Sequence, residues 1–331
     1  MKFTSVAASV VFSASAMAQQ LSGAGASFPA PLYQRWAADF VQAHPDIQVN
    51  YQSVGSGAGV KQFTQGTVDF GASDAAMSDK EIAKVAKGVV MIPAAAGSIV
   101  IAYNLPGVAD LKLSREALIG IFLGKIIKWN DPLIAKNNPD ANLPNLSINV
   151  AKRSDGSGTT FVFSKHLAAI SPEFSKDIGV DKSTDAWPVG VGGKGNEGVT
   201  ALIKQAPGTV GYVEYGFASH NDLTMASLQN KSGNFVKPTP ESGAATLASV
   251  TLPANLRIWP EDPAGADDYP IATFTWLLLY KKYDDAAKLK ALKEFVTYGL
   301  TDGQKVADGL GYIPLPAPVV EKCMAALATV Q

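Results

Sequence analysis

Ile148-Asn149-Val150-Ala151-Lys152-Arg153-Ser154-Asp155-Gly156-Ser157-Gly158-Thr159-Thr160-Phe161-Val162-Phe163 passes from a strand-like run to a helix-like run through a Gly-Ser-Gly turn. Such a helix start exposes N–H groups that lack intrahelical partners, together with the positive end of the macrodipole. Glycines let the backbone approach a bound oxyanion, and hydroxyls add donors. Arg153 adds a charge that no ordinary pH removes.

The same design occurs twice more upstream. Ser22-Gly23-Ala24-Gly25-Ala26-Ser27-Phe28 runs into Pro29, which suits the first turn of a helix, and Leu32, Tyr33, Trp36 and Phe40 then keep helical spacing. Val49–Val54 alternates like a strand and breaks into Gly55-Ser56-Gly57-Ala58-Gly59 ahead of Val60-Lys61-Gln62-Phe63. One such loop alone is ordinary punctuation between a strand and a helix. Three of them, one carrying Arg153, point to a shared oxyanion site.

The same alternation predicts an α/β protein with largely parallel sheets. Strands are expected at 47–54, 68–72, 89–103, 146–152, 209–215 and 269–280. Helices are expected at 30–42, 60–65, 79–86, 115–123, 159–168, 198–205, 285–298 and 318–330. Residues 230–268, rich in Gly, Pro, Ser and Ala, read as a loosely structured excursion. Two apolar strands, Gly97–Tyr103 and Ile271–Tyr280, flank everything between them. The expected organisation has the chain leave one domain through the first and return through the second. Domain I would comprise residues 19–100 and 270–331, and domain II residues 101–269; the alternative is one large sheet. A pair of crossings makes a hinge, and hinged domains close on a ligand between them.

Bulk properties narrow the function. Lys2, the apolar stretch Val6–Met17 and the ending Ala16-Met17-Ala18 read as a secretory signal over residues 1–18, too short and too rich in Ser and Ala to span a bilayer. No cysteine follows it to take a lipid, so export to a periplasm as an unanchored monomer is expected. The lone Cys323 can form no internal disulfide, and a formal net charge of −1 argues against nucleic acid or membrane surfaces as partners. His44, His166 and His220 are scattered without metal-ligand spacing, so neither a metal nor a cofactor is expected.

Asp74 ends the strand-like Val68-Asp69-Phe70-Gly71-Ala72-Ser73, at the carboxyl edge where open α/β sheets hold ligands. Locally it reads equally well as a turn or cap before Met77-Ser78-Asp79. In an anion site an ionised Asp can only accept hydrogen bonds, so it suits a ligand that carries a proton and opposes one that does not. Asp69, at the strand's start, reads as structural. Asp155 either orients Arg153 or is a turn residue, and local sequence does not choose. Gly193-Lys194-Gly195-Asn196-Glu197-Gly198, with Glu214 beyond it, matches a dinucleotide fingerprint, but the strand before it is a scrap and an exported protein is a poor host for nicotinamide. No phosphate-loop lysine motif and no G-x-S-x-G elbow occurs, and no histidine is placed as a base.

These residues resemble the periplasmic phosphate-binding proteins of phosphate-specific ABC importers. The resemblance is carried by GAGASFPAPLY at 23–33, VNYQSVGSGAGVKQF at 49–63, VDFGASDAAMSD at 68–79, GKIIKWNDPLIAKNNP at 124–139, RSDGSGTTFVF at 153–163, WPVGVGGKGNEGV at 187–199 and GTVGYVEY at 208–215, and it weakens after about residue 225. It implies a two-domain, hinged, type II solute-binding fold that holds one inorganic phosphate in its cleft and passes it to membrane permease subunits. By motif, phosphate would be held by Ser27, the Phe28 N–H, Ser56, Arg153, Ser157, Gly158 and Thr159. Asp74 would accept the ligand's proton and Asp155 would partner Arg153. Two other readings remain open: an exported phosphatase or phosphoryl-transfer enzyme on the same loops, and a binding protein for sulfate or molybdate.

Overall fold

A computed structural model describes residues 18–331. The signal-sequence reading falls almost wholly outside the described residues. Among the described residues twelve strands form: β1 (Gln19–Gly25), β2 (Ile47–Ser53), β3 (Phe70–Ser73), β4 (Val89–Tyr103), β5 (Lys112–Leu113), β6 (Asn149–Arg153), β7 (Val191–Gly193), β8 (Thr209–Glu214), β9 (Thr224–Met225), β10 (Ser227–Gln229), β11 (Phe235–Val236) and β12 (Ala272–Tyr280). The main sheet runs β2-β1-β3-β12-β4-β8-β6-β7, with β9 also on β4; β11-β10-β5 form a small separate sheet.

The expected parallel sheet holds only on the flanks. β1 pairs parallel with β2 and β3, and β6 pairs parallel with β7 and β8. In the centre β12 and β4 run antiparallel to each other and to the flanking strands β3 and β8. The two halves of the sheet share β4. All fifteen of its residues are buried, as an unbroken apolar run buried on both faces requires. Its residues up to Ser98 pair with β12, and from Ile99 onward they pair with β8. One strand therefore serves two lobes, and the Ile99 N–H bonds the Ile271 carbonyl where the returning chain meets it.

Each lobe packs around aromatic side chains. Tyr33, Trp36, Phe40, Tyr51, Phe70 and Phe295 form one cluster, and Phe122, Phe163, Phe174, Trp187 and Tyr212 the other. The buried indoles keep their N–H groups bonded: Trp36 to the Gly303 carbonyl at 2.8 Å, Trp129 to Gly208 at 3.0 Å and Trp276 to Leu256 at 2.8 Å. This satisfies the requirement that a buried donor find a partner.

Two expectations need correction. The helix expected over 79–86 stops at Ile82, a single turn held by a capping box between Ser78 and Glu81. The expected excursion at 230–268 contains a helix, Pro240–Ala248, started by a Thr239–Ser242 capping box. Beyond it Leu256 packs on Trp276, and Arg257 reaches the Met77 carbonyl and Asp79. Its polar composition reflects one exposed helix face and buried Gly243, Thr246 and Leu247 on the other, rather than disorder.

The register sets up the site. Gly25 of β1 lies level with Ser53 of β2 and Ala72 of β3, so three loops leave the sheet side by side. The helix Ser56–Gln65 then returns across β1. A Cβ on Gly59 would meet Gly25 Cα at 2.3 Å and the Ala24 carbonyl oxygen at 2.9 Å, so this crossing requires glycine. We expect Gly59→Ala to destabilise the protein by about 1–3 kcal/mol in urea unfolding, the usual cost of overpacking. Gly309→Ala, where nothing lies within 4 Å, serves as the near-neutral control.

Candidate oxyanion site

The carboxyl ends of β1, β2, β3 and β6 deliver their loops to one place between the lobes. The helices Ala30–Ala43, Ser56–Gln65 and Gly158–Ile170 begin there, and the N–H groups of Phe28, Ser56, Gly158 and Thr159 find no acceptor among the described residues. The corners touch. A Cβ on Gly158 would lie 2.5 Å from Ser56 Oγ and 2.6 Å from Asp74 Oδ2, so only glycine brings this helix start so close. The Gly57 N–H of one lobe bonds the Gly156 carbonyl of the other at 2.8 Å.

Arg153 is 1% exposed. Its Nε and Nη2 donate to the two carboxylate oxygens of Asp155 at 2.8 and 2.6 Å, the bidentate geometry that fixes a guanidinium plane. Its Nη1 lies 3.4 Å from Thr159 Oγ1. Tyr212 and Thr184 hold its backbone, accepting from its N–H and donating to its carbonyl. Burial alone would raise the Asp155 carboxyl. The bonds and charge of Arg153, with the Gly195 N–H at 3.0 Å, outweigh that and hold it below the usual range.

Asp74 is also 1% exposed, and it has no such partner. Its Oδ1 accepts from the Thr275 hydroxyl at 2.8 Å, while its N–H donates to Ser56 Oγ at 3.3 Å and its carbonyl accepts from the Trp259 indole. Burial drives its pKa up from 3.8 to about 7, against the Thr275 hydrogen bond and the Arg153 charge. Ser157 caps the helix start, accepting from the Thr160 N–H at 3.0 Å, which leaves its own hydrogen to donate elsewhere. Asp69 sits at the far end of the strand, bonded to Ser22 and Lys288, as its structural reading requires.

The sequence reading did not single out two polar side chains here. Thr275 is the hydroxyl on Asp74, and a buried threonine at the centre of an apolar strand is the signal that could have marked it. Asn196 lies inside the fingerprint-like glycine run, whose pattern is carried by its glycines. The helix there starts at Gly195, three residues before its expected start, because the Gly195 and Asn196 N–H groups bond Asp155 and Ser27. Donors committed in this way cannot cradle a pyrophosphate. Glu214 is buried at the end of β8, with its N–H on Asn196 Oδ1, and burial raises its pKa well above the ordinary value.

Residues 12–302 match the family model of the PBP superfamily domain. The phosphate-binding protein PstS of Pasteurella multocida is 42% identical over 318 residues, covering 95% of this chain and 91% of that protein. PstS of Haemophilus influenzae is 43% identical over 309 residues, covering 92% and 91%. The chain belongs to the phosphate-binding protein family. The solved phosphate-binding protein of Stenotrophomonas maltophilia shares the fold, with a TM-score of 0.75 at 23% identity over 93% of this chain and 94% of that one. The architecture is the two-domain type II binding-protein fold.

In this family member, the raised Asp74 pKa makes a stability prediction. The unfolded chain releases the Asp74 proton near 4 and the folded chain near 7, so ionisation favours unfolding increasingly across that window. Asp74→Asn should therefore stabilise the ligand-free protein by an amount that grows from about pH 4 to about pH 7 and then levels off. Thermal unfolding of both proteins at pH 4.5, 6 and 8 checks this; a gain independent of pH would show that Asp74 ionises normally.

Proposed function

We propose that this protein is an exported solute-binding protein that captures inorganic phosphate between its lobes and delivers it to the permease of an ABC-type importer. The observation that carries this reading is the pairing of opposites in one buried place. Arg153 and the open N–H corners attract an oxyanion, while Asp74 beside them requires a proton. Phosphate brings both the negative charge and the proton. Sulfate, fully ionised near neutral pH, would set lone pairs against a buried carboxylate, and a site built around one such hydrogen bond can reject the analogue lacking it by about 10⁴–10⁵-fold. Ser27, Phe28, Ser56, Arg153, Ser157, Gly158 and Thr159 are the proposed donors, Asp74 the acceptor and Asp155 the support for Arg153.

Domain I is proposed as residues 19–100 with 270–331, and domain II as residues 101–269. The hinge would lie where β4 changes partners at Ser98 and Ile99 and where the chain returns at Ile271. Binding without turnover is the proposed activity. None of the three histidines is hydrogen-bonded to a site hydroxyl: His166 and His220 have Nδ1 on the carbonyls of Glu261 and Gly216, and His44 stacks on Phe40.

Titration calorimetry at pH 8, where Asp74 is ionised, tests the reading. Phosphate should bind, sulfate in excess should not displace it, and Arg153→Ala should weaken binding by about 2–5 kcal/mol, the range for stripping one partner from a buried charge contact. Affinity near wild type in that variant would remove Arg153 from the site. Asp74→Asn should admit sulfate as a competitor; unchanged discrimination would refute the proton-accepting role.

A further inference from the structure

The proposed donors include four hydroxyls, among them the pair on Ser27 and Thr159, and a hydroxyl can accept as readily as it donates. Something must decide which it does. Asn196, fully buried, is bonded to both. Its backbone N–H and its Nδ2 both donate to Ser27 Oγ, at 3.0 and 2.9 Å. Its Nδ2 also lies 3.2 Å from Thr159 Oγ1. The amide cannot be turned around, because its Oδ1 accepts from the Glu214 N–H at 3.0 Å.

A serine oxygen has two lone pairs and one hydrogen. Asn196 fills both lone pairs of Ser27, so the Ser27 hydrogen must go to a third group. Thr159 Oγ1 receives Asn196 Nδ2 on one side and Arg153 Nη1, at 3.4 Å, on the other, and its hydrogen is released in the same way. Ser27 belongs to the lobe of β1, while Asn196, Thr159 and Glu214 belong to the lobe of β6 and β8. One side chain thus sets the polarity of two hydroxyls and spans the cleft.

We propose that Asn196 is a positioning residue that makes the Ser27 and Thr159 hydroxyls obligate hydrogen-bond donors to the anion. This rests on the phosphate reading and deepens it: with the hydroxyls barred from accepting, the ligand's proton is directed to Asp74.

Phosphate titrations of the full mature chain test the proposal, with thermal unfolding confirming that each variant is folded. Asn196→Asp keeps the shape but replaces the Nδ2 donor with an acceptor, which turns the Ser27 hydrogen away from the ligand. At pH 8 it should lose roughly 100-fold or more in phosphate affinity. That deficit relative to wild type should shrink as pH falls and the introduced carboxyl regains a donor hydrogen; repulsion by the new charge would shrink in the same way, so the distinction rests on the alanine variants. Asn196→Ala should lose roughly 10-fold, and several-fold less when Ser27 is already alanine, because the hydroxyl it orients is gone. This cycle decides the matter whether or not the Asp variant folds. A folded Asn196→Asp protein that binds phosphate as wild type does at pH 8, or equal Asn196→Ala losses with and without the Ser27 hydroxyl, would overturn the proposal. Failure of the wild-type chain to bind phosphate would instead refute the phosphate reading, and the inference with it.

Discussion

A buried guanidinium has to be neutralised, and the geometry that neutralises Arg153 organises the whole site. Removing both members of an ion pair from water costs several kcal/mol per ion, repaid only by close geometry and further hydrogen bonds. Arg153 and Asp155 meet that condition with two short bonds, and the Gly195 N–H serves the carboxylate further. The pair is nearly self-balanced, yet Nη1 is left only a long contact to Thr159. A cation with one well-placed donor to spare is what an oxyanion site needs. The rest of the lobe follows from holding that donor still.

The balance also explains why Asp74 can be tolerated. A second ionised carboxylate would have to share Arg153 with Asp155, which already holds it by two bonds. Asp74 keeps only the Thr275 hydroxyl, and burial moves its pKa toward neutrality. Two carboxyls near one guanidinium therefore take opposite parts, one ionised and supporting, the other hungry for a proton. The difference lies in their partners rather than in their chemistry.

Much of this was legible in the chain because local rules and the site coincide. Gly-Ser loops between a strand and a helix mark both a turn and an anion-binding corner, and the long apolar runs at β4 and β12 announced the crossings. The strand directions in the centre were not legible, because burial on both faces gives the same apolar run whether neighbours lie parallel or antiparallel. Helix Pro240–Ala248 was hidden by a composition that suits a partly exposed short helix as well as a loop. At the site, residues that would touch the ligand carried their own signals. Thr275 and Asn196 act through other side chains, 201 positions from Asp74 and 169 from Ser27, and only the fold brings them there.

The contacts between the lobes have a consequence for how closure would be driven. They include the Gly57–Gly156 backbone bond, the Asn196–Ser27 bonds, an exposed Ser53–Glu197 contact, the Lys182–Glu81 ion pair at the rim, and the bonds that Leu256, Arg257 and Trp259 make to Trp276, Asp79 and Asp74. A partly exposed ion pair contributes at most about 1 kcal/mol, and each neutral hydrogen bond about as much. None of these bonds is strong enough alone to lock the lobes together. A ligand that bonds both lobes at once, through Ser27 and Ser56 on one side and Arg153 and Thr159 on the other, supplies the differential affinity that a population shift requires. The same buried donors proposed to recognise the anion would then also shut the protein around it.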